Sequence, residues 1–247
     1  MTEEEKQALQ KEAEYQMEKH PGDRVFSFVW RGQTFWLKKK QSNDRVRAAK
    51  YSVEKEFYYE VARISIAAQM TDCAPDMVLL QDSCFVLRDG GRTVQEWLMS
   101  EIPAQEKRNI AREAGRTLCR LHQAGLYHGR PALRDMVWNG RRLTLLDWEN
   151  RTYFRDLLHR QMTDAVLLLQ GMYREPWMKE AYVQAAWDGY REAGGAALLL
   201  RTVRFLRHHQ AIARLTGILH PFHFKDVEPL RKVYDWFESH EQELTEA

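Results

Sequence analysis

The stretch of sequence that decides the fold runs from Leu121 to Asn150 and reads LHQAGLYHGRPALRDMVWNGRRLTLLDWEN. It starts at the end of a helical pattern, enters a loop at His128, and continues into two short apolar segments, MVW and LTLL. The Asn-Gly dipeptide between these segments is a strong signal for a tight turn, so they are predicted to pair as strands. Asp147 follows the second strand, where its carboxylate could bind Mg²⁺ or simply cap a turn.

The residues before this stretch alternate between helical and strand-forming character. Residues 3–19 are rich in charged side chains and predict a solvated helix. Residues 25–39 predict a β-hairpin in which Gly32 supplies the positive φ of a tight turn. A long helix is predicted from roughly Asp44 to Met70, followed by two short strands that turn at residues 81–83. The order is therefore hairpin, helix, hairpin.

The residues beyond position 90 predict mostly helices. A helix over Glu106–Ala124 carries Ile110, Ala114, Leu118 and Leu121 on one stripe. Residues 151–247 also have a helical pattern, with interruptions near positions 194–195, 220–221 and 229. We predict an α+β fold with a helical extension over 1–20, a small β-rich N-lobe with one long helix over 21–88, and a larger, mostly helical C-lobe over 89–247.

The composition limits the classes of function. The 247 residues include 37 basic and 35 acidic side chains, a net charge of +2 that argues against a protein built mainly to bind nucleic acid. The three cysteines are scattered without a CxxC pair, which favours a reducing cytosol. The charged N-terminus is unlike a signal peptide, and the apolar runs are too short to span a bilayer. We expect a cytoplasmic protein.

Phosphoryl transfer from ATP needs a cation on the phosphates, an anion that holds this cation, and carboxylates for Mg²⁺. Lys38 ends the apolar strand FWLK and is the candidate cation, although Lys39 on the opposite face is a rival. Glu60, in the predicted long helix, is the candidate anion, with Glu56 one turn earlier as its rival. Each residue alone is more often a surface side chain, but the succession of strand lysine and helix glutamate favours the functional interpretation.

These segments together resemble the protein-kinase-like superfamily and, more narrowly, its lipopolysaccharide core (Kdo/heptose) kinase family. The matching segments are FWLKK, YEVARI with Pro75, HGRPALRDMVW and DWEN, and the resemblance covers roughly residues 25–170. It implies a bilobal protein-kinase-like fold and an ATP-dependent phosphotransferase that acts on a hydroxyl of a lipopolysaccharide core sugar. ATP and Mg²⁺ are the implied cofactors, a sugar or glycolipid is the implied acceptor, and the implied location is peripheral to the inner membrane.

The resemblance also implies roles by position. Lys38, Glu60 and Asp147 would bind the nucleotide, and Asp147 and Asp135 would bind the metal. His128 would brace the loop as a packed structural histidine.

The sequence departs from the kinase pattern in its loop and in its first hairpin. Arg130 occupies the loop position where active members have an aspartate, and arginine cannot act as a base. Arg130 could instead lie against the transferred phosphate, while Asp135 binds metal or reaches the acceptor hydroxyl. No GxGxxG precedes Lys38, and Trp36 either crowds the adenine pocket or packs in the core.

Three further interpretations of function stay open. A pseudokinase would keep the fold and bind nucleotide or partners without turnover, as the HGR loop and the missing glycine-rich loop suggest. A basic run at helical spacing is either a solvated helix face or a peripheral contact with an anionic membrane or glycolipid. This run contains Arg201, Arg204, Arg207, His208, His209 and Arg214. Nucleic-acid binding by this helix is the weakest alternative because the overall charge is nearly neutral.

Overall fold

The computed structural model describes residues 1–40, 47–149, 154–208 and 227–241. These residues form an α+β protein with small antiparallel sheets and a mostly helical remainder. The chain divides into two compact units, the first made of Met1–Gly91 with Leu146–Glu149, and the second of Arg92–Leu145 with the described residues beyond Glu149. Several positions named in the sequence predictions lie outside the described residues: Asp44, Asn150, His209, Arg214, His220 and Pro221.

The first unit confirms the predicted order of hairpin, helix and hairpin. Its elements are α1 (Glu3–Lys19), β1 (Val25–Trp30), β2 (Gln33–Lys39), α2 (Arg47–Met70), β3 (Met77–Leu80) and β4 (Cys84–Arg88). The strands form one antiparallel sheet in the order β1-β2-β4-β3.

The turn between β1 and β2 is as short as the sequence predicts. Trp30 pairs with Gln33, so only two residues, Arg31 and Gly32, make the turn. Both have positive φ, 49° and 74°, which is the backbone of a tight hairpin that follows the twist of the strands. The two-residue turn is therefore too short to form an extended loop of backbone amides.

The core of the first unit lies on one face of its sheet. Alternate residues of β1 and β2, namely Phe26, Phe28, Phe35 and Leu37, are buried against α1. Burying each of these side chains contributes about 2–3 kcal/mol. The sequence predicted a solvated helix here. In the structure one side of α1 is buried instead, because Leu9 and Ala13 are fully buried against the sheet.

The second unit contains a small sheet and most of the helices. Its strands are β5 (Arg92–Thr93), β6 (Met136–Trp138) and β7 (Leu143–Leu145), paired antiparallel in that order. Its helices are α3 (Val94–Met99), α4 (Ala104–Gln123), α5 (Leu157–Tyr173), α6 (Glu180–Tyr190), α7 (Ala196–His208) and α8 (Val227–Ser239). The pairing of β6 with β7 confirms the prediction, whereas β5 and α3 were not predicted.

Helices α4 and α6 approach each other closely. The predicted apolar stripe of α4, from Ile110 to Leu121, is buried. A Cβ atom at Gly115 would lie only 1.6 Å from the carbonyl oxygen of Ala186, so only glycine permits this approach. The predicted interruption near position 194 is also present, because Gly194 has a φ of 94° between α6 and α7.

Helices α7 and α8 have one buried and one exposed side. The basic side chains of α7 within the described range, at positions 201, 204, 207 and 208, are exposed, while Val203 and Leu206 are buried. In α8, Trp236 and Phe237 are buried and pack against Trp187 of α6. None of the helices in the described part of the chain combines the length and apolar character needed to cross a bilayer.

Candidate nucleotide and metal site

The two lysines at the end of β2 make different contacts. Strand alternation directs them to opposite faces of the sheet. The ammonium of Lys38 donates to the Glu60 carboxylate at 2.7 Å. The ammonium of Lys39 instead donates to the main-chain carbonyls of Met17 and His20 at the end of α1. Lys38, and not its rival Lys39, therefore meets the helix glutamate.

Glu60 is buried on α2, with 2% of its surface exposed, whereas Glu56 one turn earlier is exposed. Burial is the largest influence on Glu60 and raises the pKa of its carboxyl, and the attraction of Lys38 opposes that rise. The helix therefore offers one inward carboxylate, and Lys38 holds it in place.

Two more carboxylates reach Lys38 from the segment after β7. Asp147 Oδ1 lies 3.6 Å and Glu149 Oε2 lies 3.1 Å from the Lys38 Nζ atom. Arg24 also donates to Glu149 at 2.9 Å. Burial alone would lower the pKa of Lys38, but the carboxylates outweigh it and the pKa is raised. Burial opposes ionisation of Glu149 too, yet Lys38 and Arg24 hold the pKa of this carboxyl below its ordinary value.

The residue between these two acids anchors the segment. Trp148 is almost fully buried, and its carbonyl accepts a hydrogen bond of 2.7 Å from Arg63. The Arg63 guanidinium also lies over the Trp148 ring, 5.4 Å from its centroid. Asp147 has a φ of 61°, a left-handed conformation that aspartate adopts more readily than most residues. The buried tryptophan and the turned backbone together present both acids to Lys38.

The carboxylates of Glu60, Asp147 and Glu149 each offer an oxygen within 4.8 Å of the others. Oxygen ligands of this kind suit Mg²⁺. The three acids with Lys38 and Arg24 carry a formal charge of −3 + 2 = −1, so the donor set favours an added cation. Glu149 and Arg24 were not among the predicted site residues, although the alternation Asp-Trp-Glu after a strand was a signal for Glu149.

Asp135 and Arg130 lie together in the second unit. Asp135 ends a single 3₁₀ turn, Leu133–Asp135, and its side chain is 15% exposed. Its carboxylate is 4.0 Å from the Arg130 guanidinium and 3.8 Å from the Arg134 guanidinium. Both are long ion pairs, so Asp135 is flanked by two cationic side chains.

Asp164 holds the backbone of the loop that begins at His128. The main-chain N–H groups of His128 and Gly129 both donate to the Asp164 carboxylate, the latter at 2.7 Å. The same carboxylate lies 3.3 Å from the His122 ring. His128 and Asp164 are completely buried, so Asp164 braces this loop through its main chain, and the bracing role expected of His128 stays a prediction. Asp164 was not among the predicted site residues.

Trp36 shares the face of β2 that carries Lys38. Its indole is 43% exposed, so it is not the core aromatic that one interpretation of the sequence allowed. The indole N–H donates to Asp89 at 2.8 Å. The tryptophan is therefore tied to Asp89 and stays partly exposed on the face of β2 that also carries Lys38.

Comparison with known proteins gives two similarities, and no family model matches the chain. Over 100 residues the chain is 27% identical to the KEOPS complex subunit Bud32 of Pyrococcus abyssi, a match that covers 40% of this chain and 44% of that protein. This weak, partial similarity points to a protein-kinase-like relationship.

The other similarity is to an uncharacterized protein of Haemophilus influenzae. The two chains are 30% identical over 168 residues, which cover 67% of this chain and 69% of that protein. The chain therefore belongs to the same family as this Haemophilus influenzae protein.

Proposed function

We propose that this chain is a protein-kinase-like, ATP-dependent phosphotransferase that acts on a hydroxyl group. The observation that carries the proposal is the meeting of Lys38, Glu60 and Asp147 around one point in the first unit. A strand lysine held by a helix glutamate beside a strand-end aspartate is the arrangement that phosphoryl transfer by kinases requires. The partial similarity to Bud32 supports the same relationship.

Each residue of the site has a proposed role. Lys38 binds the α- and β-phosphates, and Glu60 keeps its ammonium in place. Asp147 and Glu149 supply carboxylate oxygens for Mg²⁺. Bound Mg²⁺ would neutralise charge on the phosphates. Since Lys38 contacts three acids, the phosphates would replace Asp147 and Glu149 as its partners while Glu60 stays.

The acceptor side of the proposal rests on the sequence. Asp135 is proposed as a metal ligand or as the group that reaches the acceptor hydroxyl, with Arg130 against the transferred phosphate. A lipopolysaccharide core sugar as acceptor and a peripheral place at the inner membrane come from the family resemblance alone. The division into an N-lobe over 21–88 and a C-lobe over 89–247 likewise stays a prediction.

A pseudokinase is the second candidate, and two observations favour it. The loop position of the usual aspartate is occupied by Arg130, which lies 4.0 Å from Asp135. The hairpin of β1 and β2 closes with two residues and has no glycine-rich loop to cover phosphates. Such a protein would bind nucleotide and transfer nothing.

Nucleotide binding can be tested by thermal unfolding of the full chain with Mg²⁺ and ATP. ATP at about 100 times its dissociation constant should add ~2.7 kcal/mol of apparent stability. Asp147→Asn should remove this increment, whereas Asp82→Asn, a matched change in the exposed turn between β3 and β4, should keep it. An ATP-induced shift that is absent in the parent, or equal in the parent and Asp147→Asn, would contradict the nucleotide site.

Turnover separates the two candidates. Transfer of the γ-phosphate to a panel of hydroxyl acceptors, lipopolysaccharide core sugars included, can be followed by ³¹P NMR. A phosphotransferase should yield a phosphate ester, and Asp135→Asn should bind ATP normally but form none. A parent protein that binds ATP and phosphorylates no acceptor would favour the pseudokinase.

A further inference from the structure

A pocket of about 390 Å³ lies within the second unit. Its walls come from the loop and 3₁₀ turn at residues 130–134, from the C-terminal half of α5, and from Gln95 in α3. A volume of this size lies in the range of small-molecule sites. The pocket is formed without any residue of the Lys38 site.

The side chains of the pocket wall carry a net positive charge. Arg130, Arg134 and Arg174 line it, with Glu175 as the single acid, so the lining carries a formal charge of +3 − 1 = +2. The carbonyl end of α5 favours a cation at Arg174 and offsets part of its charge. The attraction for an anion therefore comes mainly from Arg130 and Arg134.

Asp135 lies close to two of these arginines. Its carboxylate is 4.0 Å from the Arg130 guanidinium and 3.8 Å from the Arg134 guanidinium. When Asp135 is counted with the lining, the formal charge falls from +2 to +1. Both planar guanidinium groups border the pocket and can offer parallel N–H donors to an anion.

The remainder of the wall offers neutral hydrogen-bonding groups. The side-chain amides of Gln95 and Gln170 can each donate and accept, and Glu175 can accept from a hydroxyl. Leu133 and Leu167 supply apolar surface. A ligand that matches this wall has an anionic group at one end and hydroxyl groups on its body.

A glycine keeps part of this wall open. Gly171 lies within α5, where glycine is normally unfavourable, and it lines the pocket. A Cβ atom at this position would meet no neighbouring atom within 4 Å. Packing would therefore allow a larger residue at position 171, and the glycine leaves that space open to the pocket.

We propose that this pocket binds a small phosphate monoester with a hydroxylated body, such as a sugar phosphate. A phosphate monoester carries a charge close to −2 at neutral pH and offers three acceptor oxygens to the arginines, whereas a carboxylate carries only −1 and offers two. Planar guanidinium groups also bind phosphate oxygens two at a time. The pocket shares Arg130 with the proposed acceptor side of the phosphotransferase, but the proposal goes beyond phosphotransfer because binding here requires neither ATP nor turnover.

Isothermal titration of the full chain with glucose 6-phosphate tests the proposal, with glucose, gluconate and inorganic phosphate as comparison ligands. Glucose 6-phosphate should bind more tightly than gluconate or inorganic phosphate, and glucose should not bind. Arg134→Ala should weaken binding about tenfold, as expected for the loss of one charge-assisted contact. Arg141→Ala is the matched control, since Arg141 is an exposed arginine outside the pocket wall.

A second pair of variants tests the pocket by volume. Gly171→Leu should fill the open space and abolish binding, while Gly171→Ala should retain it. Both replacements favour the helix, so neither should reduce the melting temperature. Equal affinity for glucose 6-phosphate in Arg134→Ala and Arg141→Ala, or unchanged binding in a folded Gly171→Leu protein, would overturn the proposal. Failure of the parent protein to bind any of the phosphates would do the same and would leave the ATP site untouched.

Discussion

Two buried carboxylates, Glu60 in the first unit and Asp164 in the second, are stabilised in different ways. Asp164 accepts hydrogen bonds from the main-chain amides of His128 and Gly129. Glu60 depends on the ammonium of Lys38, which also contacts other acids. The donors of Asp164 are fixed by the backbone, whereas the donor of Glu60 is a flexible side chain with competing partners.

The difference separates a structural carboxylate from one suited to binding. Main-chain amides around a buried carboxylate keep a loop in a single conformation. A lysine among three carboxylates can exchange some of them for an incoming phosphate without moving its own strand. Burial raises the pKa of Glu60 most, and the nearby carboxylates of Glu149 and Asp147 raise it as well. Groups with perturbed pKa values concentrate at functional sites.

The largest effect is expected at the structural carboxylate. Asp164→Ala should lower the free energy of unfolding by about 3–5 kcal/mol, because it leaves buried main-chain donors and His122 without their acceptor. Urea unfolding of the full chain, followed by circular dichroism, measures this loss. A loss below about 1 kcal/mol would show that Asp164 does not hold the loop.

Removal of Lys38 should have a smaller effect on stability that depends on pH. Lys38→Met leaves Glu60 without its cation, and we expect a loss of about 2–3 kcal/mol at neutral pH. The pKa of Glu60 would rise further above 4.5, so the folded state would bind this proton more tightly than the unfolded state. The destabilisation should therefore shrink as the pH falls through that raised pKa. A loss that is the same at pH 5 and pH 8 would contradict this account.

A double variant sharpens the comparison. Lys38→Met combined with Glu60→Leu replaces the ion pair with apolar side chains of similar size, which is often neutral for stability. The double variant should recover at least about half of the loss seen in Lys38→Met, while ATP binding stays absent. Urea unfolding of both proteins gives the comparison. No recovery would show that the destabilisation comes from packing and not from the unpaired acid.

The smallest effect is expected at the outer acid of the cluster. The pKa of Glu149 is lowered in the folded state, so this carboxylate stabilises the fold above about pH 4.5 and loses that contribution as the pH falls through the folded pKa. Glu149→Gln should cost less than about 1 kcal/mol at pH 7, since its side chain is 35% exposed. Urea midpoints of parent and variant should converge toward pH 4, and a gap that widens there would contradict the prediction.

Local patterns were enough to predict most of the elements. The hairpin at 25–39 followed from its strand-forming residues and Gly32, and the stripe of α4 followed from helical spacing, because both signals lie within a few residues of one another. Helix α3 was missed although Thr93 and Glu96 form a capping box at its start. A helix of six residues is too short to show a clear helical period in the sequence.

The site shows where sequence reasoning stopped. The sequence left two candidates for the cation, Lys38 and Lys39, and two for the anion, Glu60 and Glu56. The periods of the strand and the helix did not identify the correct member of either pair. The choice depends on which face of β2 packs under α1, and this is set by Phe35 and Leu37 together with Leu9. Glu149 was overlooked because its contact with Lys38 joins residues far apart in the chain.

By itself the sequence determined the α+β class, the order of most elements and the residue types from which a nucleotide site could be built, because these depend on spacing between neighbours. Tertiary structure alone decided that Lys38 meets Glu60, Asp147 and Glu149, that Asp164 braces the loop at His128, and that three arginines line one pocket. The physical reason is that a side chain acquires its charge partners and its burial from elements that are distant in sequence, and only packing of those elements brings them within a few ångströms.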